Sequence, residues 1–139
     1  MYTETIKYKD FFGTEVEEEL NFHLSAAELT EMELSHNGGY GSYLRKIVAA
    51  NNATEITKTF KELVMKAYGV VSEDGRRFVK NEKVREEFEQ TEAYSKFYMS
   101  LVLDVDKASK FINAVIPDLS EYEDKFKAAE SKVVQMPNN

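Results

Sequence analysis

The chain of 139 residues contains no cysteine. That excludes disulfides, zinc–thiolate sites and a thiol nucleophile, and it is compatible with a cytoplasmic setting. Tryptophan is also absent, and there are two prolines and two histidines. His23 and His36 lie far apart, one on the polar face of an expected strand and one in a loop. A zinc site needs more ligands at helical or turn spacing, so no metal or other cofactor is expected. Apolar runs are only a few residues long, too short to span a bilayer. The opening "MYTETIKYKD" lacks the basic start and apolar core of a secretory signal. Basic residues are outnumbered, 18 Lys and Arg against 25 Asp and Glu, for a net charge of −7. Phosphate repels such a surface, so nucleic acid is not an expected partner. The charge serves solubility, or it favours a partner with basic or apolar helices.

What is present is enough for one domain with one sizeable core. Hydrophobic residues make up 42% and charged residues 31%, a balance that folds. Eight tyrosines and nine phenylalanines supply bulky core material. In "VEEELNFHL", Val16, Leu20, Phe22 and Leu24 alternate with polar residues, the period of a strand. Tyr2, Ile6 and Tyr8 share one face of the preceding segment. A three-residue loop, Phe11-Phe12-Gly13, joins the two with Gly13 in the left-handed region. It pairs Tyr8 with Val16 and Tyr2 with Phe22. It also sets Lys7 opposite Glu17 and Lys9 opposite Glu15 on the wet face, which supports the register. A two-residue loop mixes the faces. Glu4 and Glu18 interrupt the apolar face and suggest a sheet end open to solvent.

Helical signals follow. Ser25 and Glu28 form a capping box ahead of "AAELTEMEL", with Leu24 and Leu29 at staple positions. "HNGGYG" breaks that helix, and "SYLRKIVAA" forms a second, with Leu44, Ile47 and Val48 inward. A third starts near Thr54 with Ile56, Phe60, Leu63, Val64 and Ala67 on one stripe, and Gly69 is its expected left-handed stop. "VVSEDGRRFVKN" reads as a turn or a small hairpin. Asn81 then caps a long helix over residues 82–103, with Val84, Phe88, Thr91, Tyr94, Tyr98 and Leu101 as its stripe. Asp104 or Asp106 caps the next, with Val105, Ala108, Phe111, Ile112 and Val115 inward and Pro117 closing it. A last helix is expected from Ser120 and Glu123, a second capping box, with Leu119, Tyr122 and Phe126 apolar. The fold class is therefore α+β and mostly α-helical, an N-terminal β-hairpin followed by five to six helices. Residues 1–117 are expected to form the globular domain. Residues 118–139 are expected to be a C-terminal helix and a frayed tail.

The chemistry-bearing motifs are weak. "SEDGRR" has serine, glycine and arginine but lacks the further glycines and the lysine of a phosphate loop, and Glu73 and Asp74 repel an anion. Read structurally, Gly75 completes a turn and the arginines pair with carboxylates. Read functionally, Arg76 and Arg77 are polar contacts for a protein partner. Asp104 and Asp106 do not continue into a calcium loop. No serine sits in a nucleophile elbow, so no enzyme activity is expected. "SKFYMSLVL" carries more apolar residues than one helical face requires. Either this helix is largely buried, or part of it is an exposed patch for a partner. The candidate contact residues are Phe97, Tyr98, Met99 and Val102.

The order of features resembles the tail assembly chaperones of long-tailed, siphovirus-type phages and prophages of Gram-positive bacteria. A short hairpin leads into "LSAAELTEMELS", then "FKELVMKAYGVVSEDGRRFVKN", then "FEQTEAYSKFYMSLVLDVDKASKFINAVIP". The likeness covers roughly residues 2 to 117 and is carried best by the last two stretches. It implies a non-enzymatic protein that coats the long, helical tape measure protein, keeps it soluble and promotes tail tube assembly. It implies the cytoplasm of the infected bacterium as its location and absence from the finished virion. The partners implied are the tape measure protein, the tail tube protein and a frameshifted longer form, of which this chain is the shorter. Coating a long partner favours weak self-association, and the exposed first strand offers an edge for it. The alternatives are a minor virion protein of the tail terminator or head–tail connector kind, and a small regulatory protein that binds a host factor. Within this reading residues 67 to 94 are an elbow that sets the angle between two helices.

Overall fold

A computed structural model of the protein describes residues 1–33 and 39–117. The first two strands, β1 (Tyr2–Lys9) and β2 (Glu15–Phe22), form an antiparallel hairpin. Its register has Tyr2 opposite Phe22, Lys7 opposite Glu17, Tyr8 opposite Val16 and Lys9 opposite Glu15, as the three-residue loop requires. Asp10 and Thr14 close that loop, and Gly13 takes φ +82°. Ile6, Leu20 and Phe22 point into the core, while Thr3, Thr5, Lys7, Glu15, Glu17 and Glu19 face water. The two acids on the inner face have partners. The Tyr2 hydroxyl donates to Glu4 at 2.7 Å and the Tyr8 hydroxyl to Glu18 at 2.6 Å. Lys107 adds an ion pair to Glu4 at 2.9 Å.

Three helices follow, α1 (Ala26–Glu33), α2 (Tyr40–Ala50) and α3 (Ala53–Ala67). The Ser25 hydroxyl accepts from Glu28 N at 3.1 Å, and the Glu28 carboxylate accepts from Ser25 N at 3.0 Å, a complete capping box. α2 begins two residues earlier than the expected Ser42. Tyr40 and Gly41, in its first turn, are buried. Asn51 ends α2 at φ +51°, and the Asn52 side chain caps α3 by accepting from Thr54 N and Glu55 N.

Gly69 is not a left-handed stop. α3 ends at Ala67 and the chain passes straight into β3 (Tyr68–Val71). Asn21 pairs with Gly69 and Phe22 with Tyr68, so β3 extends the sheet. The glycine is needed for space: a Cβ there would lie 2.5 Å from the Phe78 ring, which covers this position. Val70 and Val71 then pair with β4 (Phe78–Val79), giving the strand order β1-β2-β3-β4. The segment 72–77 is the turn of this small hairpin, with Gly75 at φ +73°.

The expected long helix is two helices, α4 (Glu82–Glu89) and α5 (Glu92–Val102). Asn81 caps α4 through Val84 N. Thr91, expected on the inward stripe, instead caps α5. Its hydroxyl accepts from Tyr94 N and donates to the Phe88 carbonyl. The break lets each helix aim its own aromatic ring. Phe88 stacks on Tyr68 at 3.7 Å, and Phe97 stacks on Phe22 at 4.5 Å. Asp104 caps α6 (Val105–Val115) by accepting from Asp106 N and Lys107 N. Ala108, Phe111, Ile112 and Val115 are buried, and Pro117 follows the helix end. Val105 is corrected to the surface, because at the first helical position it precedes the inward stripe. The expected helix beyond Pro117, with its Ser120 and Glu123 box, lies outside the described residues, as does His36.

Candidate partner-binding surface

α5 packs against β1, α3, α4 and α6 through Ala93, Phe97 and Leu101, which are spaced four residues apart and buried. This places Phe97 at the centre of the core rather than on a surface. Its ring also meets Phe111 at 5.6 Å and Tyr2 at 6.2 Å, and the Lys107 ammonium lies 5.3 Å from its centre. Tyr98 is half-buried on the α3 side, where its hydroxyl donates to the Thr57 carbonyl at 2.8 Å and its ring stacks on Tyr94 at 5.7 Å. Val102 is half-buried and packs on the core.

Met99 differs. At 100° per residue it lies about 200° around α5 from Phe97, on the outward side. It is 45% exposed. Leu103, one turn further on, is 77% exposed, and Val105 is 53% exposed. These three form an apolar ridge across the α5–α6 corner, interleaved with the exposed acids Asp104 and Asp106. Leu103 is absent from the expected stripes and contact residues, and Val105 is expected inward. The signal that finds them is Asp104: once it caps α6, Leu103 and Val105 sit at the junction of two helices and not in the interior of either.

Arg76 and Arg77 sit elsewhere. They belong to the β3–β4 turn, at the opposite edge of the sheet from β1 and α5. The turn is held by its own polar groups. The Ser72 hydroxyl donates to Asp74 at 2.6 Å, Asp74 accepts from Arg76 N at 3.0 Å, and the Ser72 hydroxyl accepts from Arg77 N at 3.0 Å. These bonds hold the Asp74 carboxyl below its ordinary range. The expected pairing of the arginines with carboxylates is not formed: among the described residues the ion pairs involve lysines only. With Asp74 engaged inside the turn, both guanidinium groups are presented outward. Exposed Val70 and Val71 lie in a shallow groove with Val79 and Val84, which Arg77, Glu73 and Asp74 also line.

The other charged cluster is structural. The Lys80 ammonium bonds to the His23 carbonyl at 2.5 Å and to both Glu28 carboxylate oxygens at 2.8 and 2.9 Å. Burial acts to raise the Glu28 carboxyl, but the bonds from Lys80 and Ser25 outweigh it and hold it low. His23 is not on a strand face. It follows the end of β2, its ring edge-on to Phe78 at 5.9 Å, and its Nδ1 is buried without a hydrogen-bond partner among the described residues. Burial, then the N-terminus and Lys80, push its imidazole below the ordinary value. Among the described residues no group of three or more His, Asp or Glu could hold a metal ion, and no helix is long and apolar enough to cross a membrane.

Comparison with known proteins gives one finding of weight. A family model described as phage tail assembly chaperone matches residues 1–139. No curated protein and no solved structure matches significantly.

Proposed function

The chain belongs to the phage tail assembly chaperone family, and we propose that it binds the tape measure protein and keeps it soluble while the tail tube assembles. The observation that carries the reading is the ridge of Met99, Leu103 and Val105, set among acids on a chain whose family has an assembly role. An amphipathic helix offers the complement of such a ridge, an apolar stripe with basic flanks. Tyr98 and Val102 border the contact, and Phe97 supports it from beneath. Arg76 and Arg77 make a separate polar contact at the far sheet edge, suited to the tail tube protein or a second tail component.

The role is non-catalytic, and it is exercised in the cytoplasm of the infected bacterium, with the finished virion free of the chain. A siphovirus-type phage of a Gram-positive host, and a longer frameshifted form of the same chain, complete the reading. Residues 1–117 act as the folded unit, and residues 118–139 are an appended segment. Weak self-association through the β1 edge accompanies binding, so light scattering is expected to give a mass that rises with concentration. The reading is tested by capture of the tape measure protein encoded in the same genome. Met99→Asp with Leu103→Asp is expected to weaken capture at least about tenfold while the melting temperature holds. Equal capture by this variant would remove the ridge from the binding surface.

A further inference from the structure

We propose that the tip of the first hairpin, Phe11 and Phe12, is an anchor that docks on an amphipathic helix of a protein partner. The inference rests on the reading above for the source of that helix, the tape measure protein. Phe11 is 79% and Phe12 96% exposed, the largest exposures of any bulky apolar residues described. Two adjacent aromatic rings held in water are the composition of a contact site, not of a solvated turn.

The loop that carries them is fixed. One oxygen of the Asp10 carboxylate accepts from Phe12 N and from Thr14 N, each at 2.9 Å. Gly13 N donates to the Asp10 carbonyl and Asp10 N to the Thr14 carbonyl, each at 2.9 Å. A backbone already ordered has little freedom left to lose on binding, and phenylalanine has only two side-chain torsions to freeze. The hairpin also carries its tip away from the body. β3 pairs with β2 only at Asn21 and Phe22 and then turns to β4. From Glu15 to Leu20, β1 is the only strand beside β2 among the described residues.

The surroundings select the occupant. Glu15, Glu17 and Glu19 on the exposed face outnumber Lys7 and Lys9. Asp104 and Asp106 flank the ridge on α5–α6 in the same way. Both apolar contacts therefore suit a stripe bordered by Lys or Arg, and both disfavour an anionic lipid surface. A phenylalanine ring has the size of a knob that fills the hole between four side chains on such a stripe. The two contacts are also aligned along one edge. Lys96 of α5 donates to the Lys7 carbonyl, and Lys107 of α6 pairs with Glu4 while bonding to Ser100 of α5, so α5 runs beside β1 toward the base of the hairpin. At about 3.3 Å per strand residue and 1.5 Å per helical residue, tip and ridge lie roughly 25 Å apart, the length of a helix of about 17 residues.

The chain has no tryptophan, so Phe12→Trp introduces a single reporter at the tip. In complex with the tape measure protein from the same genome, its emission is expected to shift to the blue and to escape acrylamide quenching. Phe11→Ser with Phe12→Ser is expected to melt like the parent and to capture the tape measure protein about thirtyfold more weakly. Undiminished capture by the serine variant, or a tryptophan still open to quencher in the complex, would overturn the tip proposal and leave the proposed function standing. Failure of the parent chain itself to capture the tape measure protein would overturn both. A blue shift that appears on concentrating the Phe12→Trp chain alone would make a second copy the occupant and also overturn it.

Discussion

Gly69 and His23 show how single residues carry more than their type suggests. At Gly69 the Phe78 ring occupies the space of a side chain. Gly69→Ala forces that ring aside and is expected to lower stability by about 1–3 kcal/mol in thermal or denaturant unfolding. In a Phe78→Ala background most of that cost should vanish, since the clashing atoms are gone; an unchanged cost would place the strain elsewhere. His23 gives a pH dependence. Its folded pKa is lowered from an ordinary 6.5, so below that value the unfolded chain binds more protons and stability falls with pH. The low Glu28 carboxyl adds a second loss that begins near its ordinary 4.5 and is completed as pH passes through the folded value. His23→Gln is therefore expected to flatten the first part of the acid slope and to leave the second. An unaltered profile below pH 6.5 would show that the imidazole is not the group responsible. Phe97 and Met99, two residues apart, should separate sharply. Phe97→Ala empties the centre of the core and is expected to cost about 3–5 kcal/mol, whereas Met99→Ala stays within about 0.5 kcal/mol.

At the scale of elements, legibility followed how local the determining interactions are. The first hairpin was readable to the residue. Its register depends on a loop of fixed length, a glycine at positive φ and side chains that alternate with period two. The caps at Ser25 and Asn81 were readable for the same reason, and the third was narrowed to Asp104 or Asp106, of which Asp104 is the cap. The break between α4 and α5 was not. "FEQTEAYSKF" has a continuous helical pattern, and Thr91 fits its stripe as well as it fits a cap. What decides is tertiary: Phe88 must meet Tyr68 while Phe97 meets Phe22, and one straight helix does not serve both. Gly69 misled for a related reason, because glycine ends helices and also yields space to rings, and only the distant Phe78 distinguishes the two. The candidate surface was half legible. An apolar surplus in α5 was visible, but its direction was not, so Phe97 stood beside Met99 until the helix was packed. Thr91→Ala is expected to cost about 1 kcal/mol through loss of the α5 cap. A neutral substitution would mean that packing alone holds the break.

The described residues present a helix-covered sheet with an acidic exterior and, among them, three apolar features left in water: the hairpin tip, the α5–α6 ridge and the valine groove beside the arginine turn. A core that already buries Phe22, Phe60, Phe97 and Phe111 does not need these residues for folding. Under the proposed function their exposure is the property the chain uses: an apolar segment of the partner would be held against them and not against another copy of itself. On the same reading, the net charge of −7 would keep the complex dispersed. That division of labour, a self-sufficient core and apolar contacts reserved for a partner, is the central claim. The most direct test is expression of the tape measure protein from the same genome with and without this chain, followed by centrifugation and size-exclusion chromatography of the soluble fraction. The account predicts tape measure protein that is insoluble alone, and soluble and co-eluting with the chain when the two are made together. Tape measure protein that remains in the pellet, with the chain eluting by itself, would contradict it.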